Sequence, residues 1–338
     1  MGFVFYFITF VYIQQLTQII GLKKEITHIV CSTILFYFSF TLSLSAQTQV
    51  QPPAHPKPPR DITPVSSKAA ALAFMKSMDT LSASKYWPHV SPDEFLENVN
   101  NNLNEPLRVH EGNNTNFCSY AALSYLPLHF DPLGYAKNMV DLYRNGKVQY
   151  GRVLLTPSPE IKEAAGRLAF KGELDIRPAD QIWFLTLADH FKGYLNFFDR
   201  HFDMGDENGF WAAANFSKFN RMIRALFNFK VKAKGSDLIR IRTDDLYTYL
   251  KEKLQTGTVA LFVNNMTLYQ KDHRVIKPGI PTHYIILEQI DEVSNGMINI
   301  TYWDYGALSL QQVTRAFLER LIFGVSHCTL KKTRKHAP

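Results

Sequence analysis

"HYIILEQIDEVSNGMINITYWDYG", His283 to Gly306, decides how the chain is expected to fold. Two runs rich in β-branched and aromatic residues flank the turn triplet Ser294-Asn295-Gly296, a pattern that reads as a β-hairpin. Pairing about that turn brings His283, at the start of one strand, within about two positions of Asp304, at the end of the other. Directly opposed residues in such a pair have Cβ atoms about 4.5–5.5 Å apart. An aspartate so placed holds the imidazole in one tautomer and stabilises its charged form. Taken singly, His283 is a residue that opens a strand and Asp304 one that caps a turn. Their pairing is what singles them out. Strict alternation sends Trp303 and Tyr305 to the face opposite Asp304, as packing residues.

Working back from the hairpin, "TVALFVNN" (Thr258–Asn265) reads as another strand and "DDLYTYLKEKLQTG" (Asp244–Gly257) as a helix stopped by glycine. "VQYGRVLLTP" (Val148–Pro157) fits a strand or a packed loop. The N-terminal half is helical in pattern. "SSKAAALAFMKSM" begins at Ser66, and "SPDEFLENVNNNL" has Ser91 as N-cap, Pro92 at the first helical position and acids in the first turn. Asp131-Pro132 starts another helix, and Asn145-Gly146 stops it. From Ala179 to Phe229 the chain is strongly aromatic, with apolar residues at helical spacing on both sides of "DMGDENG" (Asp203–Gly209). A helical pair is expected there, as a core element or a cover bordering a cleft. His190 and His201 lie in it, but neither has a second ligand at metal spacing. Helices first and an antiparallel sheet later is an α+β order. No glycine-rich phosphate loop follows a strand, which argues against a nucleotide enzyme.

"NNTNFCSYAALSYL", Asn113 to Leu126, carries Cys118. A polar approach gives way at the cysteine to a small-residue and apolar pattern that can open a helix. Two readings stand side by side: a buried filler thiol, and a nucleophile favoured by the helix N-terminus and a nearby imidazolium. Pro127 follows closely, so a short or kinked helix is expected. No G-x-S-x-G elbow surrounds Ser119. Cys, His and Asp together supply a nucleophile, a base and a group that orients the base.

The chain has 338 residues, 46% of them hydrophobic, enough for a large core. Its formal charge of +7 is mild, and part of it sits in "KKTRKH" (Lys331–His336), without aromatic interleaving. A solvated tail is expected rather than a nucleic-acid surface. Lys23 and Lys24 precede an apolar run ending in Ser43, Ser45 and Ala46, which resembles an export signal; the apolar stretch before it suggests membrane attachment instead. The expected organisation is a signal peptide or membrane segment over 1–46, a proline-rich linker over 47–65, a catalytic domain over 66–330 and a basic tail over 331–338. Cys31 lies in the leader and lacks a lipobox. Cys118 and Cys328 then remain, as one disulfide or as separate thiols. Cys328, beside His327, has no orienting partner and reads as structural. The localisation expected is secreted or periplasmic.

The motifs "NFCSYAAL", "PTHYIILEQI" and "INITYWDYG", in that order, resemble the papain-like cysteine peptidase superfamily, and most the bacterial peptidase-C39-like branch. The resemblance covers short motifs and chain order rather than the whole length. It implies a helical lobe with the nucleophile at a helix start, a sheet lobe carrying His and Asp, and an aromatic insertion between them. It makes Cys118 the nucleophile, His283 the general base and acid and Asp304 the orienting residue. The reaction implied is cleavage of a peptide or amide bond in a peptide, protein or cell-wall peptide through a thioester, with neither cofactor nor metal. The family's glutamine before the cysteine is missing, and Asn113, Asn114 and Asn116 are the candidate oxyanion donors in its place. Transglutaminase or deamidase chemistry uses the same triad, and a non-catalytic surface or interaction protein would keep the same scaffold.

Overall fold

The structure, a computed structural model, describes residues 63–331 apart from 79, 113–114, 169–175, 198 and 270–278. The chain divides into two units, Met1–Gln51 and Pro52–Pro338, and all described residues belong to the second. The expected signal segment lies outside the described residues, as do Asn113, Asn114 and nearly all of the linker and basic tail.

The fold is mixed α+β. Helix α1 spans Lys68–Lys76 and α2 spans Pro92–Asn104. The start of α2 is the expected capping box: the Ser91 hydroxyl accepts from the Glu94 N–H, and the Glu94 carboxylate accepts from the Ser91 N–H. Helix α3 spans Cys118–Phe130 and α4 spans Pro132–Asn145. Asp131 caps α4, and Gly146 ends it in the left-handed region at φ 62°. A hairpin of β1 (Val148–Tyr150) and β2 (Val153–Leu155) follows, which settles the open reading of that stretch as strand. Next come α5 (Pro159–Ala164), α6 (Pro178–His190) and α7 (Phe216–Leu226). Strand β3 (Phe229–Gly235), helix α8 (Leu246–Thr256), β4 (Thr258–Val263) and the short α9 (Asn265–Tyr269) lead to the hairpin of β5 (His283–Glu292) and β6 (Met297–Asp304). Strand β7 (Ala307–Thr314), α10 (Arg315–Leu321) and β8 (Ile322–Leu330) complete the described chain. No described helix is long and apolar enough to cross a membrane.

A six-stranded antiparallel sheet runs in the order β3-β8-β4-β5-β6-β7. Both of its faces are apolar. Ala260, Phe262, Tyr284, Ile286 and Trp303 join the core of the N-terminal helices. The alternate residues Val259, Leu261, Val263, Ile285 and Leu287 join a second core with Leu250 and Leu254 of α8 and Leu318 and Leu321 of α10. This sandwiching explains why β4 is buried along its whole length and reads as a continuous apolar run.

Helix α3 runs through the helical core with every residue but His129 buried. Small residues on it let its neighbours approach; the indole N–H of Trp183 on α6 donates to Ser124 Oγ at 3.0 Å. Pro127 lies inside the helix and does not end it. It continues to Phe130, because packing on all sides outweighs the one backbone bond that proline removes. Deeper in the same lobe, Asp180 on α6 accepts from the amides of Asn98 and Asn102 on α2 at 3.1 and 2.6 Å, tying the two helices together.

The aromatic segment holds the expected helical pair, α6 and α7, but both helices are shorter than the apolar spacing suggests. Helix α6 ends at His190, and the described residues of 191–215 hold two short 3-10 turns before α7. Gly193 sits so close to Asn215 that a Cβ would lie 2.6 Å from its Oδ1. The Asn196 amide then donates to the carbonyls of Phe210, Trp211 and Ala213. Buried Lys218 on α7 adds bonds from Nζ to Asn196 Oδ1 (3.1 Å) and Ala213 O (2.9 Å). These bonds satisfy the carbonyls of Phe210, Trp211 and Ala213 without a helix and fix the loop ahead of α7. Tyr194, Phe197, Met204 and Phe210 of this segment are exposed.

Candidate functional site

Cys118 is the first residue of α3, with Phe117 as an N-cap that offers no side-chain oxygen. The helix N-terminus therefore places positive partial charge beside the thiol. Cys118 Sγ lies 3.9 Å from the carbonyl of Thr282, the residue before His283. Helix α3 packs directly on β5, so the start of the helix meets the start of the strand.

His283 opens β5 opposite Val263 of β4. Its Nε2 pairs with Asp304 Oδ1 at 2.6 Å. The ladder matches Ile286 with Trp303, which places Asp304 diagonally across from His283, and a bulge at Leu287–Gln289 sets that offset. The other oxygen of Asp304, Oδ2, accepts from the hydroxyl of Tyr269 on α9. Burial opposes a charge on His283, but the charge and hydrogen bond of Asp304 and the adjacent Cys118 thiol together raise its pKa well above 6.5. The geometry thus brings Cys118, His283 and Asp304 together in a site where the His and Asp are only 2% exposed and the Cys 9%.

Asn116 lies elsewhere. Its side-chain N–H groups donate to the carbonyls of Asn208 and Gly209, and its backbone N–H donates to Glu207 O. Both amide hydrogens are spent on the segment 206–209, so this side chain anchors the aromatic segment beside the start of α3 instead of facing the thiol. Cys328 sits in the middle of β8 between Val231 and Thr258. Both thiols are free, and burial pushes that of Cys328 up to about 12.

Tyr305 corrects the expectation drawn from strand alternation. It is not a strand residue but the first of the two turn residues joining β6 to β7, at φ 46°, with Gly306 at φ 71°. Two positive φ values in a two-residue hairpin loop bend the chain sharply, and a tyrosine there carries strain that glycine would not. The turn swings the phenol back over the site, where its ring stacks on the His283 imidazole at 5.0 Å and 17°. Trp303 follows the expectation: it is buried among the core residues, and its indole N–H donates to Leu107 O.

Two further residues line the site that the sequence reading passed over. His110 packs at 5.8 Å from the Tyr305 ring, and its Nδ1 accepts from the Gly112 N–H. Burial lowers its pKa to about 4, against the pull of Asp304. Glu111 is 2% exposed, and its carboxyl is raised to about 8 by burial first and then by the charge of Asp304. A signal for it existed in the sequence: an acid seven residues before Cys118, just ahead of the asparagines that are the candidate oxyanion donors.

Ligand atoms of Glu111, His283 and Asp304 lie within 4.8 Å of one another, a set of types that a divalent cation accepts. The donor atoms do not fit that use. Asp304 spends one oxygen on His283 and the other on Tyr269, and His283 Nε2 is spent on Asp304. A cation here would break bonds that orient the imidazole toward Cys118. Comparison with known proteins gives no name to the arrangement: no protein-family model, curated protein or solved structure matches the chain.

Proposed function

We propose that the chain is a papain-like thiol hydrolase, similar to the peptidase-C39-like branch, that cleaves peptide or amide bonds of a peptide, protein or cell-wall peptide. The observation that carries this reading is the junction of α3 and β5, where a helix-opening thiol meets an imidazole that is itself held by a carboxylate. In the reaction His283 already holds the proton of Cys118, and the sulfur attacks the carbonyl carbon as the thiolate of a thiolate–imidazolium pair. The tetrahedral intermediate collapses to a thioester, and the leaving amine takes the proton from the imidazolium. Water then enters, loses a proton to His283 and releases the acid and the free thiol. Asp304 keeps the proton-bearing Nε2 turned to itself, so that Nδ1 is left to serve Cys118.

The Cys118 backbone N–H at the start of α3 supplies one oxyanion donor. The exposed side chains Tyr194, Phe197 and Phe210, on the segment that Asn116 anchors near the nucleophile, favour substrates with apolar groups flanking the cleaved bond. Function after export fits the leader-like start of the sequence.

The test is comparative alkylation. With iodoacetamide at neutral pH, Cys118 should label much faster than Cys328, and a thiol-directed peptide probe should mark Cys118 alone. Equal, slow labelling of the two thiols in the folded protein overturns the reading. So does full activity on a peptide library by Cys118→Ala or His283→Ala.

A further inference from the structure

The site contains a buried polar atom that the proton shuttle just described does not use. Glu111 Oε2 is buried and has no hydrogen-bond partner among the described residues. Buried polar atoms are almost always paired, so one left open beside a catalytic-type pair asks for an external partner. The orphan atom is held in place by the local fold. The Glu111 carbonyl accepts from the Thr115 hydroxyl at 2.5 Å, and Thr115 Oγ1 in turn accepts from the Phe117 N–H at 3.2 Å. The loop carrying Glu111 is thereby tied to the N-cap of the helix that begins at Cys118. Gly112 makes the tie possible: it sits at φ 84°, and a Cβ there would lie 2.9 Å from the Ile176 side chain. On the other side, a glutamate oxygen lies within 4.8 Å of the ligand atoms of both His283 and Asp304.

We propose that Glu111 acts as a neutral carboxylic acid whose Oε2–H donates a hydrogen bond to the substrate oxygen as it becomes an oxyanion. This rests on the thiol-hydrolase reading and adds a catalytic residue to it. When the C–S bond forms, the carbonyl π electrons move onto oxygen, and that oxygen gains the charge a donor must meet. The Cys118 N–H supplies one bond and Glu111 the second. Collapse returns the electron pair to the C=O bond, and the leaving group departs; Glu111 keeps its proton throughout. An acid here must remain un-ionised at neutral pH, and the raised pKa of Glu111, about 8, is consistent with that. Burial is the first cause, Asp304 on β6 adds to it by repelling a second negative charge, and His283 on β5 works against the shift; Tyr305 lies within electrostatic reach of the same carboxyl.

The experiment compares two reactions of the same thiol. Iodoacetamide alkylates sulfur without forming an oxyanion, whereas p-nitrophenyl acetate acylates it through one. For Glu111→Ala, acylation should slow by about 100-fold, the order expected for one oxyanion donor, while alkylation stays within about threefold. Glu111→Gln restores an N–H donor and should acylate within about tenfold of the wild type. It should also lack the decline above about pH 8 that the wild type shows as Glu111 ionises. The inference is overturned if Glu111→Ala acylates at the wild-type rate, if Glu111→Gln is as slow as Glu111→Ala, or if alkylation and acylation fall together. Should Glu111→Ala fail to fold, the isosteric Glu111→Gln decides alone, by the same acylation rate and pH profile. A wild-type Cys118 no more reactive to iodoacetamide than Cys328 sinks the hydrolase reading and this inference with it. A reactive Cys118 whose acylation is indifferent to Glu111 sinks only the inference.

Discussion

Cys118 and Cys328 are both buried, both free and both flanked by histidine in some form, yet their settings differ in kind. Cys328 is enclosed by the ladders of β3 and β4, and its sulfur lies near only the Ser326 carbonyl, at 3.8 Å. His327, its neighbour in sequence, points to the other face of the sheet and meets the Thr256 hydroxyl. Burial there disfavours the thiolate, and the charge of Arg224 offsets only part of that shift. Cys118 lies where a helix N-terminus and a charged imidazole converge. What separates a reactive thiol from an inert one is the partner beside it, since burial is common to both.

The largest effect expected is on the thiols themselves. Cys118→Ala should abolish acylation by p-nitrophenyl acetate and any peptide turnover, while Cys328→Ala keeps both within about twofold; release of p-nitrophenolate measures this. A Cys328→Ala protein that loses activity while staying folded would break the comparison. Next in size is Asp304→Asn. Its amide cannot hold the imidazole in the same tautomer, and the loss of an orienting carboxylate in such triads reaches about 10⁴-fold in kcat. Steady-state kinetics should show the fall in kcat with KM little changed.

The third expectation concerns stability against pH. Glu111 has a folded pKa near 8 against an ordinary 4.5, so the folded state holds a proton that the unfolded state has lost between those values. Stability therefore falls as pH rises from about 4.5 to 8, by at most about 1.4 kcal/mol per unit for this group. Urea midpoints across that window should show the slope in the wild type, and Glu111→Gln should reduce it. His283, with its pKa raised, contributes with the sign of a base. Its stabilisation is full below 6.5 and is lost as pH climbs through the higher folded value. Its loss therefore begins at a higher pH than that of Glu111. The smallest effect is Cys328→Ala on stability, about 1–2 kcal/mol for a small cavity between strands, read from the denaturation midpoint.

The legible parts of this molecule are those fixed by residues close in sequence. The capping box at Ser91, the Asp131 cap and the Gly146 stop each follow from three or four neighbouring residues. The β5–β6 hairpin follows from its own turn, so the approach of His283 to Asp304 could be drawn from one short stretch. Other features were hidden because their cause lies far along the chain. The apolar spacing looked helical on both sides of Asp203–Gly209, but the helices stop short there, and Asn196 and Lys218 hold the carbonyls of Trp211 and Ala213 in a loop. Tyr305 looked like an alternating strand residue until the two-residue turn rotated it over His283. Strand β8 enters the sheet between β3 and β4, a placement no local pattern encodes.

The sequence by itself determined the helical and sheet lobes, the helix start at Cys118 and the His283–Asp304 hairpin, because caps, turns and strand periods act over a few residues. Tertiary structure alone decided which thiol has a charged partner, which way the Asn116 amide turns, and that Glu111 lies sealed beside two charged groups. Those are matters of burial and of contacts between distant segments, and desolvation is a property of the whole packed surroundings that no short stretch of chain contains.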